Sequence, residues 1–166
     1  MRKVKIKELS LEGFAAYGSF MKMIDPPAYH FGAEPIEFYR DLVQLNLGGQ
    51  GPASFSVCRV RKRPLTVTVT EVHSRCGEGI LPLDSDVLIH VGPATRNGVV
   101  PYPEIEIFRV PRGTLVVLKP GVWHHAPFVY GSDAANVVIV LPERTYANDC
   151  AVHEIPEDQR IKIQAG

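Results

Sequence analysis

A chain of 166 residues with 45% apolar and 22% charged side chains has the make-up of an ordinary globular protein, with enough length to bury one core. Eighteen basic and eighteen acidic residues cancel to zero formal net charge, which excludes the electrostatic footprint of a nucleic-acid or membrane-surface partner. Three cysteines (Cys58, Cys76 and Cys150) form no CxxC pair, and no charged-then-apolar leader or apolar run near ~18 residues is present, which together predict reduced thiols and a soluble cytoplasmic protein.

In chain order, residues 3–9, KVKIKEL, alternate strictly and predict a half-buried strand. Ser10 is placed to cap a short helix, SLEGFAAYG, with Gly18 to end it. Residues 25–35, DPPAYHFGAEP, predict a loop, and an ordered segment follows from Phe38-Tyr39-Arg40-Asp41-Leu42 through VQLNL. GGQGP at 48–52 is a turn, after which ASFSVCRV alternates with Phe55, Val57 and Arg59 on one face. Leu65 to Val72 is the most regular strand, with Leu65, Val67, Val69 and Glu71 on one side. CGEG turns into ILPL, and DVLIHVGP predicts the next strand. Residues 93–104 read as loop, IEIFRV and TLVVL as a pair around Pro111-Arg112-Gly113, and NVVIVL as a buried strand before a polar tail from Pro142. Many short strands punctuated by Gly and Pro, with no sustained helical period, predict one all-β domain over 1–166, an antiparallel β-barrel with a few short helices.

The chemistry gathers around Gly113 to Phe128, GTLVVLKPGVWHHAPF. Pro120-Gly121 predicts a type II turn, since proline presets φ at one central position and glycine accepts φ > 0 at the other. The turn is read as part of a hairpin that presents His124 and His125, which point to opposite faces of a strand. A glycine, an apolar strand, Pro-Gly, two residues and a histidine resemble the second half of the cupin signature, so His124 is the one expected to face the cavity. The first half of that signature, HxH followed by a glutamate, corresponds to His73-Ser74-Arg75-Cys76-Gly77-Glu78, with arginine in place of the second histidine. Convergence of His73, Glu78 and His124 or His125 would supply two imidazoles and a carboxylate, a ligand set that suits zinc, nickel, manganese or iron. Arg59 either grips a substrate carboxylate through its fork or snorkels to the rim; both readings stay open. His90 reads as a wall histidine, Trp123 as packing, and His30, His153 and Cys76 carry no motif.

ELSLEGFAAYG, FYRDL at 38–42, SVCRV with PLTVTVTEVHS at 56–74, GVWHHAPF at 121–128, NDC at 148–150 and EIP at 154–156 follow one another along the chain. In these stretches, which span nearly its whole length, the chain resembles the ureidoglycolate lyase (ureidoglycolate hydrolase) family of cupins. Where the family has a histidine followed by proline-leucine-glycine, this chain is shorter, so that histidine corresponds to His73 or to Arg75; Glu78 falls where the family has glutamine. The resemblance implies a double-stranded β-helix, a homodimer, a divalent metal (nickel, zinc or manganese) and cleavage of (S)-ureidoglycolate, a small hydroxy acid of allantoin degradation, to glyoxylate and urea. His124 or His125 would then serve as base or acid, and Arg59 would hold the substrate carboxylate. An isomerase or lyase acting on a sugar acid, and a non-catalytic ligand-binding cupin, are the alternatives.

Overall fold

A computed structural model describes residues 1–164. Fifteen strands and two four-residue helices follow one another as β1 (Arg2–Glu8), α1 (Leu11–Phe14), β2 (Gly18–Lys22), β3 (Phe31–Ala33), β4 (Ile36–Phe38), β5 (Ala53–Arg61), β6 (Thr66–Val67), β7 (Val69–Val72), β8 (Glu78–Pro82), β9 (Val87–Val91), β10 (Glu106–Val110), β11 (Thr114–Leu118), β12 (Phe128–Val129), β13 (Ala134–Pro142), α2 (Thr145–Asn148), β14 (Ala151–Glu154) and β15 (Ile161–Gln164). The all-β expectation holds. Ser10 caps α1 as predicted, its Oγ accepting from the Gly13 N–H at 3.1 Å. This turn drops Phe14 into the core against Phe108, edge to face with ring centroids 5.1 Å apart.

Six strands in the order β12-β9-β10-β1-β15-β6 face five in the order β2-β11-β8-β13-β5. Among the described residues only β1 pairs in parallel, with β10 and with β15; the other pairings are antiparallel. Between the sheets lie Val87, Ile89 and Val91 of β9, Phe108 and Val110 of β10, and Ile80, Val116, Leu118, Val137 and Ile139 from the facing sheet. The period of two sends Leu88 and Ile107 to the other face, where they meet Val67, Trp123, Phe128, Ile161 and Ile163 in a second core. The six-stranded sheet is therefore covered on both faces, which is why VLIHV is apolar apart from His90 and buried throughout.

Several local expectations are corrected. IEIFRV and TLVVL do not pair: β10 lies between β1 and β9, and β11 between β2 and β8. The turn joining them carries Gly113 at φ +75° and passes the chain from one sheet to the other. NVVIVL, within β13, is buried on one face only, alternating residue by residue. Of the segment 38–47, expected to be ordered, residues 39–47 form no strand or helix, while the expected loop 25–35 contains the start of a small hairpin, β3–β4. The Leu65–Val72 alternation is interrupted at Thr68, where β6 pairs with β15 and β7 with β14. Leu65 and Val67 pack in the second core, and so does Val72, so the phase of burial shifts across Thr68. That shift aims Glu71 and His73 away from the second core.

Candidate functional site

Three short stretches build the site. Glu78 opens β8 opposite Leu118 of β11. The backbones approach so closely there that a Cβ on the preceding Gly77 would sit 2.3 Å from the Leu118 carbonyl oxygen. His73 follows β7, and the turn after it is clamped by Asp149, whose carboxylate accepts from the Ser74 N–H at 2.9 Å, the Ser74 hydroxyl at 2.8 Å and the Arg75 N–H at 2.9 Å. His124 follows the Pro120-Gly121 turn, which has Gly121 at φ +82° and the Val122 N–H donating to Lys119 at 3.3 Å. The segment after this turn is not the second arm of a hairpin with β11. Instead His124 exchanges both backbone hydrogen bonds with Glu71, at 2.6 and 2.9 Å, and Trp123 bridges Gly92.

These supports bring His73, Glu78 and His124 together, all buried. Glu78 Oε2 lies 3.2 Å from His73 Nε2 and 3.0 Å from His124 Nε2. Each ring is fixed from behind: Nδ1 of His73 is 2.7 Å from the Asp149 carbonyl oxygen, and Nδ1 of His124 is 2.8 Å from that of Val122. A carbonyl can only accept, so both Nδ1 atoms carry their protons and both Nε2 atoms turn toward the carboxylate. Two lone pairs and a carboxylate around one point repel unless a cation joins them. Either a second proton on an imidazole or a metal ion meets that need, and histidine ligands oriented by Nδ1–H to a carbonyl are the usual support of a metal centre.

Glu71 stands beside this cluster on the half-buried rim: its carboxylate and the ring nitrogens of His73 and His124 lie within 4.8 Å of one another. The residues present fit a divalent cation, with nitrogen and oxygen donors on rigid backbone. The protonation states follow the same geometry. Burial alone would raise Glu78, yet the adjacent His124 and His73 bring it down to about 2. Burial alone would lower His124, yet Glu78 pushes it up to about 9. Cys150 donates to Glu71 at 3.5 Å, and burial together with that carboxylate pushes its thiol to about 12.

Arg75 points outward, 3.7 Å from Asp149, so His73 is the histidine at the centre. Arg59 is corrected as a carboxylate holder. It lies exposed on the outer face of β5 with Phe55 and Val57, because Ser56, Cys58 and Val60 take the inward phase of that strand. His125 leaves the segment on the side opposite His124 and lines a separate cavity with His90 and Arg63. Trp123 packs in the second core, its indole N–H donating to Thr95 at 3.0 Å. His153 rests on Trp123 and His30 sits in the exposed β3–β4 region. Sequence reasoning passed over Glu71; the available signal was its spacing of two from His73, which places both on one strand face.

Two facing β-sheets and a buried His/Glu cluster together define an all-β protein with a candidate metal centre. The sequence profile of the ureidoglycolate lyase family matches residues 1–163, and the chain belongs to that family. Ureidoglycolate lyases of Escherichia coli and Shigella boydii are 24% identical to it over 159 residues, covering 95% of this chain and 97% of theirs. Among solved structures, it is similar to Bacillus subtilis oxalate decarboxylase, at 12% identity and TM-score 0.43, over 65% of this chain and 27% of that longer one. It is also similar to procruciferin of Brassica napus, at 11% identity and TM-score 0.42, over 61% of this chain and 23% of that one.

Proposed function

We propose that the protein is a ureidoglycolate lyase that uses the Glu71/His73/Glu78/His124 centre, with a divalent cation, to release glyoxylate and urea from (S)-ureidoglycolate. Family membership over nearly the whole chain carries the reading, and the convergence of these four side chains supports it. His73, His124 and Glu78 would hold the ion, nickel, zinc or manganese. When bound, such an ion supplies Lewis-acid polarisation of substrate oxygens. Glu71, partly exposed, is the carboxylate a substrate can reach. It takes the proton of the C2 hydroxyl; the O–H electron pair becomes the aldehyde C=O as the C–N bond breaks onto the urea nitrogen. That nitrogen then takes the proton back from Glu71, so atoms and charge balance. The protonated Cys150 thiol, donating to Glu71, holds the carboxylate in place. Purified protein given racemic ureidoglycolate should release urea and glyoxylate in equal amounts, stop at half consumption, and lose activity with a chelator. Absence of both products with each of the three metals would overturn the reading.

The active form is a homodimer in the cytoplasm, where the free cysteines stay reduced. Phe55 and Val57, 75% and 64% exposed, lie opposite Val140 and Val138 on the outer face of the five-stranded sheet. On the β3–β4 hairpin, Ile36 and Phe38 are exposed as well. A neutral chain with such apolar surfaces suits a two-fold interface with its own copy. Val57→Glu should therefore shift the sedimenting species from dimer to monomer; an unchanged species would remove this face from the interface.

A further inference from the structure

On the side of the 123–126 segment opposite the metal centre lies a cavity of about 170 Å³, lined by Arg63, Thr66, Val69, His125, Ala126 and Phe128 among others. Its volume falls below that of drug-sized pockets and suits a ligand of a few heavy atoms. The lining holds one fixed charge, the Arg63 guanidinium, and no acidic side chain. The charged head of Arg63 stands at the cavity wall, because the two residues that hold it line the cavity themselves. Its central carbon lies 4.0 Å from the centre of the Phe128 ring, and Nη2 donates to the Ala126 carbonyl at 2.8 Å.

That head is under-used. Among the described residues no carboxylate lies within ion-pair distance of it. Nε and Nη1 carry no hydrogen bond among the described residues, and neither is sealed from solvent. The Thr66 hydroxyl and the ring nitrogens of His125 are likewise unbonded there and open. His90 borders the same cavity, but its Nδ1 is buried and adds nothing for a ligand to reach. The Phe128 ring covers one face of the guanidinium and leaves its edge free, and the N–H bonds lie in the plane of that edge. Two oxygens on one carbon fit such a fork; a lone halide fills only half of it, and a dianion exceeds the single charge. Val69, Ala126 and Phe128 offer apolar surface to whatever carbon the anion carries.

We propose that this cavity is a binding site for a small aliphatic monocarboxylate, seated edge-on against Arg63 and separate from the metal centre. The carboxylate oxygens take the free guanidinium donors, the Thr66 hydroxyl is a further donor, and the carbon end lies toward Val69 and Phe128.

The test is NMR titration of chelator-treated protein with acetate, with its uncharged isostere acetamide, and with chloride as competitor. Acetate should bind saturably and move the Thr66 methyl and Phe128 ring resonances. Acetamide should not bind saturably, and an equal concentration of chloride should not displace acetate. Arg63→Gln should weaken acetate about 10-fold or more, the usual range for a charged hydrogen-bonding group. Arg63→Lys, which keeps the charge but loses the fork, should fall in between, with circular dichroism confirming that both variants fold. No saturable acetate binding by the wild type would overturn the proposal, as would equal binding of acetamide, displacement by chloride, or unchanged affinity in folded Arg63→Gln. Shifts confined to His73, Glu78 and His124 would overturn it too, by placing the anion at the metal centre, and that readout needs only the wild type. Because none of these measurements needs metal or turnover, they stand or fall independently of the lyase reading.

Discussion

His124→Ala and Glu71→Gln should both reduce ureidoglycolate cleavage by about 10²-fold or more, the ordinary cost of losing a ligand or a proton carrier, but they should differ in metal content. His124 donates Nε2 to the central point and is pinned there by Val122. Removing its ring opens the donor set, so the purified variant should lose its metal along with its activity. Glu71 stands at the rim, half-buried, while Glu78 alone bonds to both imidazoles. Glu71→Gln should therefore keep the metal and lose turnover, with kcat and kcat/KM falling together, as for a group acting in the transition state. Arg59→Gln, on the outer face of β5, should stay within a few-fold of wild type. Elemental analysis beside steady-state kinetics decides. A Glu71→Gln protein that is fully active removes Glu71 as the base, and one that is metal-free makes it a ligand.

What the sequence discloses here is local, and what it hides depends on partners distant along the chain. Ser10 with Gly13, and Pro120 with Gly121, are decided within four residues, so the cap and the turn are legible. The inward aim of His124 follows from its offset from Pro-Gly, and the grouping of His73 with Glu78 from their short separation. Glu71 was obscured because the alternation from Leu65 to Val72 looks unbroken, whereas the chain changes partner from β15 to β14 at Thr68 and its burial phase shifts. Arg59 shows the converse: alternation assigns it the same face as Phe55 and Val57, and only the pairing of β5 with β13 reveals that this face points outward. The cavity of Arg63, His90 and His125 joins stretches from three parts of the chain. No spacing rule could have linked them.

The chelator-treated protein should be most stable near pH 6.5, with its unfolding midpoint falling on either side. The alkaline arm comes from His124. In the folded state its pKa is raised from 6.5 to about 9 by Glu78, against the opposing effect of burial. Between those values the folded protein holds a proton that the unfolded chain has released. The stabilisation is thus complete below pH 6.5 and is lost as pH rises toward 9. The acid arm comes from His90, lowered from 6.5 to about 3 by burial. There the unfolded chain binds the proton and the folded protein does not, so stability falls as pH drops from 6.5. Glu78, held at about 2 by His124 and His73, steepens the loss below its ordinary 4.5. Shifts of about 2.5 units for His124 and about 3.5 for His90 correspond to roughly 3 kcal/mol on the alkaline arm and roughly 5 on the acid arm. For a chain of this length that is on the order of 10 °C in midpoint. Glu78→Gln removes the carboxylate that keeps the second proton on His124 and should flatten the alkaline arm; His90→Phe should flatten the acid arm. Loading the metal should flatten the alkaline arm too, since a cation among the Nε2 atoms takes the place of that proton. Thermal unfolding followed by circular dichroism from pH 4 to 10 measures all three. A wild-type midpoint that stays level or rises between pH 7 and 9 would show that His124 carries no second proton, and that the repulsion around Glu78 is relieved in some other way.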